Sequence, residues 1–401
     1  MGKRDYVWNM IGSICYSGSS FYYLLLVTRI CGVREAGVFS LAFATAQLLL
    51  TVGRFGIRTY QATDLKRQYS FWEYGVSRMF TCILMMLGVI TYVVVMRFDS
   101  WKAQVCVWVT AFKMIDAVED VFHGEMQRSF RVDLMGKMLA LRNIISCILF
   151  TAAALVTRDV LMTCIYTTIP SLLFCLICNG MGIEKINRKQ ERYLFKHVKQ
   201  VMMICFPIFL STFLSLYLYN VPKYAIDFWL EVENQTYYNI LFMPSFVITL
   251  FSEIITKPLM TTVTIEWERN TRQFQKIVSH ILSLIGLGTV IIVIGGHFIG
   301  RYLLEWIYGI NLELFKKEFV ILLVGGGISA GVYILYNLLI AIRHERCIIV
   351  VYGGVAVLMT GVIFFMVQKE GILGAALGYL ISCLLLFSIF ITMLVGFIKK
   401  K

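Results

Sequence analysis

Apolar stretches of about twenty residues recur from one end of the chain to the other, separated by short segments that carry most of the charge. An α-helix rises about 1.5 Å per residue, so each stretch is long enough to cross a hydrocarbon core roughly 30 Å thick. The pattern predicts an all-α integral membrane protein with about twelve spans. Six fall at 6–28, 36–56, 80–96, 105–122, 134–156 and 160–180, and six at 201–220, 238–259, 277–299, 319–342, 347–367 and 371–398. The connection 181–200 is the most basic and lies near mid-chain, which suggests two six-helix lobes, 1–190 and 191–401, around a central cavity.

Composition agrees with the pattern. Hydrophobic residues make up 59% and charged residues 15% of 401, against about a quarter charged in a soluble domain. The net charge of +13 resides in short connections, where basic residues set insertion orientation rather than bind nucleic acid. Assigning flanks to sides gives 24 basic residues on one and 10 on the other, so both termini are expected in the cytoplasm. The first apolar run is too long and too serine-rich for a cleaved leader and reads as a retained helix. Most of the eleven cysteines sit within apolar runs, so they are expected to pack as small hydrophobes. No metal-binding or nucleotide-cradling motif occurs, and no cofactor is expected.

Polar residues inside the spans are the functional signal. Arg54, Arg58 and Gln61 follow one another at i, i+4 and i+7 where the second span ends. An arginine facing lipid at mid-membrane costs roughly 2.5–3.5 kcal/mol even on the lenient insertion scale, so this line should meet water, an anion or the headgroups. Asn9, Ser13, Ser17 and Ser20 form a stripe on the first span, read either as helix-packing serines or as a cavity wall. Lys113, Asp116 and Asp120 share a face of the fourth span. They read either as a structural ion cluster or as a site of proton or cation coupling. Arg142 lies within the fifth span, where snorkelling to the headgroups is the alternative. Glu253 with Lys257 reads as an interfacial pair, and His280 and His297 as packed or interfacial. Pro207 and Pro222 suggest a bent seventh span, and the glycines of the last three spans suggest close helix packing.

Several fragments, in order, resemble a known family. They are Asn9, Arg29-x-x-Gly32 with Ala36-Gly37, and Phe55-Gly56-Ile57-Arg58-Thr59-Tyr60-Gln61. Tyr74-x-x-x-Arg78, Asp120-x-x-x-Gly124-x-x-Gln127, Asp133-x-x-x-Lys137 and Arg142 follow. Together the chain resembles bacterial polysaccharide flippases of the Wzx or O-antigen-transporter type, in the multidrug/oligosaccharidyl-lipid/polysaccharide (MOP) exporter superfamily. Where many such proteins carry an Arg-Glu pair after the Phe-Gly element, this chain has Ala62-Thr63-Asp64. The resemblance implies a transporter, not an enzyme, in the bacterial plasma membrane. Its cargo would be a polyprenyl-diphosphate-linked oligosaccharide moved to the outer leaflet by alternating access, with polysaccharide polymerase and other assembly proteins as partners. Arginine suits a diphosphate because its planar fork makes paired, charge-assisted hydrogen bonds. Arg29, Arg54 and Arg58, with Lys113 and Arg142, are the expected ligands. Asn9, Ser13, Ser17 and Gln61 are expected on the cavity wall. The driving force stays open between the membrane potential and H+ or Na+ coupling through Asp116 or Asp120. The competing readings are a cation-coupled small-molecule exporter of the same superfamily and a membrane-embedded polysaccharide polymerase or ligase.

Overall fold

The computed structural model of the chain describes residues 3–64, 66–184, 195–342 and 345–400, and the regular elements among them are helical. The chain divides into two compact units, Met1–Phe213 and Leu214–Lys401. Half of the basic connection expected to separate two lobes, residues 185–194, lies outside the described residues, as do the side chains of Glu253 and Lys257.

The first unit holds α1 (Lys3–Ile30), α2 (Val33–Arg54), α3 (Ile57–Thr63), α4 (Phe71–Val95), α5 (Ser100–Arg128), α6 (Val132–Thr157) and α7 (Val160–Glu184). The first part of α8 (Phe195–Trp229) packs against them. Within the unit α5 is central, touching α2, α4 and α7, while α1 lies along α6. That α1–α6 crossing requires glycine on both sides. A Cβ on Gly12 would stand 2.6 Å from the Gly136 carbonyl oxygen, and one on Gly136 would collide with the α1 backbone at Trp8 and Asn9. Without a hydrophobic drive between helices in lipid, such close backbone approach supplies the packing.

The second unit continues with α9 (Glu233–Arg269), α10 (Thr271–Gly295), α11 (Arg301–Tyr308), α12 (Lys316–Ala341), α13 (Glu345–Glu370) and α14 (Ile372–Lys400). A π-turn, Gly296–Gly300, joins α10 to α11, so the segment after 299 expected to be a loop is mostly helical. Here α12 is central, packed on α9 and α14, and Ser245 of α9 donates to the Leu322 carbonyl at 2.6 Å. The close packing expected of the late glycines occurs on α12 and, at Gly374 and Gly378, on α14, whereas Gly354 and Gly361 of α13 face open space.

Ten stretches among the described residues are long and apolar enough to span a membrane. Two more helices, α5 with 29 residues and α9 with 37, have the length. This is an all-helical multi-pass integral membrane protein. Several helices overrun their expected spans, because hydrogen bonding continues past the apolar run when the ends are capped. On α4 the Ser70 hydroxyl accepts from the Glu73 amide and the Glu73 carboxylate accepts from the Ser70 amide. This capping box starts the helix at Phe71, nine residues before the expected start of the span at 80. α8 runs helical through both Pro207 and Pro222.

Candidate functional site

The stretch around Arg54 and Arg58 is a broken helix. Phe55 (φ 49°) and Gly56 (φ 70°) both adopt the left-handed conformation, which ends α2 and restarts the chain as α3. Glycine at 56 takes this geometry without the Cβ clash that other residues meet. A break at membrane depth frees backbone carbonyls, which must find donors. The Gly53 carbonyl accepts from Arg78 Nη1 and, at 2.7 Å, from the Thr81 hydroxyl, both on α4. Phe55 stacks on Phe209 of α8 with ring centroids 4.5 Å apart, holding the break from the other side. Arg78, expected on a headgroup flank, is therefore buried, at 2% exposure, as a clamp on the break.

Around this break α5 presents a buried row of ionisable groups. Asp116 pairs with Lys113 and, at 2.6 Å, with Arg142. Glu119 pairs with Arg142 at 2.9 Å and lies 3.6 Å from His123 Nε2. Asp120 is held by Arg78 at 2.9 Å and by Arg58 at 3.2 Å. Asp120 and Glu119 are thus buried, and Arg142 does not snorkel but holds two carboxylates. Such pairing is what makes charge tolerable inside a membrane helix bundle.

Arg54 differs from the other cations. Among the described residues no carboxylate pairs with it. Its Nη2 donates to the Tyr16 hydroxyl at 3.2 Å, its guanidinium lies 5.6 Å from the Tyr16 ring, and its Nε is buried without a partner. Lys113 shares the same tyrosine, 5.1 Å from its ring. Arg58 is partly accessible, its side chain 32% exposed, with further contacts to Gln127 and the Met135 sulfur. Arg54, Arg58, Arg78, Lys113 and Arg142 thus surround three carboxylates, leaving positive charge in excess.

The other expected site residues divide. Gln61 is fully buried on α3 against Gly124, with both amide atoms unpartnered. Asn9 and Ser17 are half-buried and Ser13 is exposed, its hydroxyl turned back to the Asn9 carbonyl. A cleft on α1 does exist, of about 650 Å³, but it is mostly apolar and on a neighbouring face, where Ser19 and Tyr22 meet Asn143, Ile144, Ile148 and Leu155 of α6. Arg29 is not near the cluster's tyrosine. It lies thirteen residues beyond Tyr16 on the same helix, about 20 Å along the axis. Grouping it with Arg54 by sequence order overlooked that α1 and α2 run in opposite directions, so their arginines sit at opposite ends.

Two features escaped the sequence reading. Tyr16 gave no signal beyond its place beside the serine stripe. The second is a buried network where α3 joins α4. There Asp64 accepts from the Gln68 and Tyr69 amides and, at 3.0 Å, from the Tyr74 hydroxyl. Arg128 adds an ion pair to Asp64 at 3.6 Å and a hydrogen bond to the Tyr69 carbonyl at 2.8 Å. The departure at Asp64 from the familiar Arg-Glu pair thus serves this connection.

In fold, the chain is similar to solved transporters of the MOP superfamily. The lipid II flippase MurJ, in an inward closed conformation, superposes with a TM-score of 0.74 at 12% identity, over 96% of this chain and 87% of MurJ. A multidrug-resistance MATE family transporter in an inward-facing conformation gives 0.70 at 11% identity, over 96% of each chain. In sequence, the chain is similar to the capsular polysaccharide biosynthesis protein CapF of Staphylococcus aureus. Identity is 22% over 394 residues, covering 94% of each. No family model matches.

Proposed function

We propose that this protein is a flippase that carries a polyprenyl-diphosphate-linked oligosaccharide from the cytoplasmic to the outer leaflet, for assembly of a surface polysaccharide. The observation that carries the reading is Arg54, a cation inside a membrane bundle with no carboxylate partner among the described residues and an unpaired Nε. A half-buried cation without an ion-pair partner is costly inside a membrane bundle, and an anionic cargo group would relieve it. A diphosphate meets this need, since its oxygens accept the paired donors that a guanidinium presents. Arg58 can join, because Arg78 keeps hold of Asp120 when Arg58 turns to the cargo. Arg142 and Lys113, already paired with carboxylates, shape the field rather than grip the cargo. The similarity to CapF and the likeness in fold to a lipid II flippase support a lipid-linked glycan as the cargo class.

A cation exporter is disfavoured because Asp116 and Asp120 are each held by two basic side chains. The test is movement of a fluorescent polyprenyl-diphosphate oligosaccharide across liposomes containing the purified protein. Wild type is expected to accelerate it. Arg54→Ala should lower cargo affinity about 10- to 100-fold, given roughly 1.5–3 kcal/mol for a hydrogen bond to a charged group. Absence of movement with folded wild-type protein, or saturable binding of a cationic dye instead, would reject the reading.

A further inference from the structure

A second cleft, of about 610 Å³, runs along the outside of the first unit between α4 and α5, away from the Arg54–Tyr16 contact. Its lining on α4 extends from Phe71 to Ile90, which is about 28 Å along the helix axis. It is almost wholly apolar. Met79, Met86 and Met114 supply adaptable side chains, and Gly75 leaves an open slot, with nothing within 4 Å of where a Cβ would stand. Trp72, 63% exposed, marks the end nearest the helix start, as an aromatic residue does at a membrane interface.

We propose that this cleft holds the polyprenyl chain of the lipid-linked cargo, a subsite that rests on the flippase reading above. Two observations select that occupant. The cleft is flanked by membrane-spanning helices, so its occupant comes from the bilayer. Its length approaches the whole hydrocarbon thickness of roughly 30 Å, whereas a phospholipid chain reaches only the half that belongs to its own leaflet. A chain filling it must pass through both leaflets. The second observation is Arg78. It lines the cleft, and its guanidinium holds Asp120, the carboxylate that also binds Arg58. The apolar cleft and the cationic cluster are therefore separated by one side chain, as the tail and head of a single amphiphile require.

The test uses the full chain in phosphatidylcholine nanodiscs with a photoactivatable polyprenyl monophosphate that carries no sugar. Labelling is expected to concentrate in the α4 peptide over residues 71–90, and to be displaced by unlabelled polyprenyl phosphate but not by a tenfold excess of phospholipid. Gly75→Trp, which fills the open slot, should reduce that label at least fivefold with an unchanged melting temperature. If that variant unfolds, Ile83→Trp, at a position 57% exposed, serves in its place. Label spread evenly over the lipid-facing side of α6, or displaced equally by phospholipid, would overturn the proposal. The readout does not need transport, so the two readings fail separately. Wild type that flips cargo without labelling α4 would refute the cleft alone. Labelled α4 in a protein that moves no cargo would refute the flippase reading and leave a polyprenyl-binding cleft.

Discussion

Arg54 and Arg142 are both arginines inside the membrane, and their surroundings assign them opposite work. Arg142 neutralises Asp116 and Glu119, so removing it strands Glu119 and leaves Asp116 with Lys113 alone. Arg142→Ala is expected to destabilise the fold by about 3–5 kcal/mol. Denaturant unfolding in detergent would measure this, and Arg142→Ala combined with Glu119→Gln should recover part of the loss. Arg54→Ala strands no carboxylate among the described residues, so its melting temperature should stay near wild type while cargo binding falls. A variant pattern with those effects exchanged would reverse the two roles. The sequence exposed both residues as costly cations, but their roles depend on residues 23 to 38 positions away, Glu119, Asp116 and Tyr16, which no local spacing reveals.

Elements are held together here by backbone proximity as much as by side chains. The α1–α6 crossing at Gly12 and Gly136 is the clearest case. Gly12→Ala is expected to lower the melting temperature, because the new methyl meets a carbonyl oxygen on a backbone that cannot swing aside. Gly18→Ala, on the same helix with nothing within 4 Å, should be neutral or slightly stabilising. Equal effects at the two positions would mean that α1 and α6 do not cross so closely. The spacing of Arg54, Arg58 and Gln61 assumed one continuous helix, and the α2–α3 break at Phe55-Gly56 interrupts it; neither the break nor its clamp was legible locally. Arg78 and Thr81 follow the break by more than twenty residues and reach it only because α4 packs beside α2.

At the scale of the whole molecule, the proposed cargo carries negative charge outward, which an inside-negative potential favours by roughly 2.3 kcal/mol per charge per 100 mV. Imposing such a potential on proteoliposomes should speed flipping, and reversing it should slow it. A rate that ignores voltage but follows a proton or sodium gradient would instead favour ion coupling. With both termini proposed to be cytoplasmic, a reporter fused after Lys401 should be protected from external protease in intact cells.

Much was determined by the sequence alone: a helical multi-pass membrane protein, the order of its spans, the resemblance to polysaccharide flippases, and a cluster of intramembrane charge. These follow from composition and from periodicity along a helix, which act over a few residues. The tertiary structure decided which charges are already paired. It moved Arg29 away from Arg54, buried Arg78, brought Tyr16 to the site and opened the cleft beside α4. The reason is physical. The energy of a charge inside a membrane depends on which groups other helices bring within a few ångströms, and helix packing alone sets that.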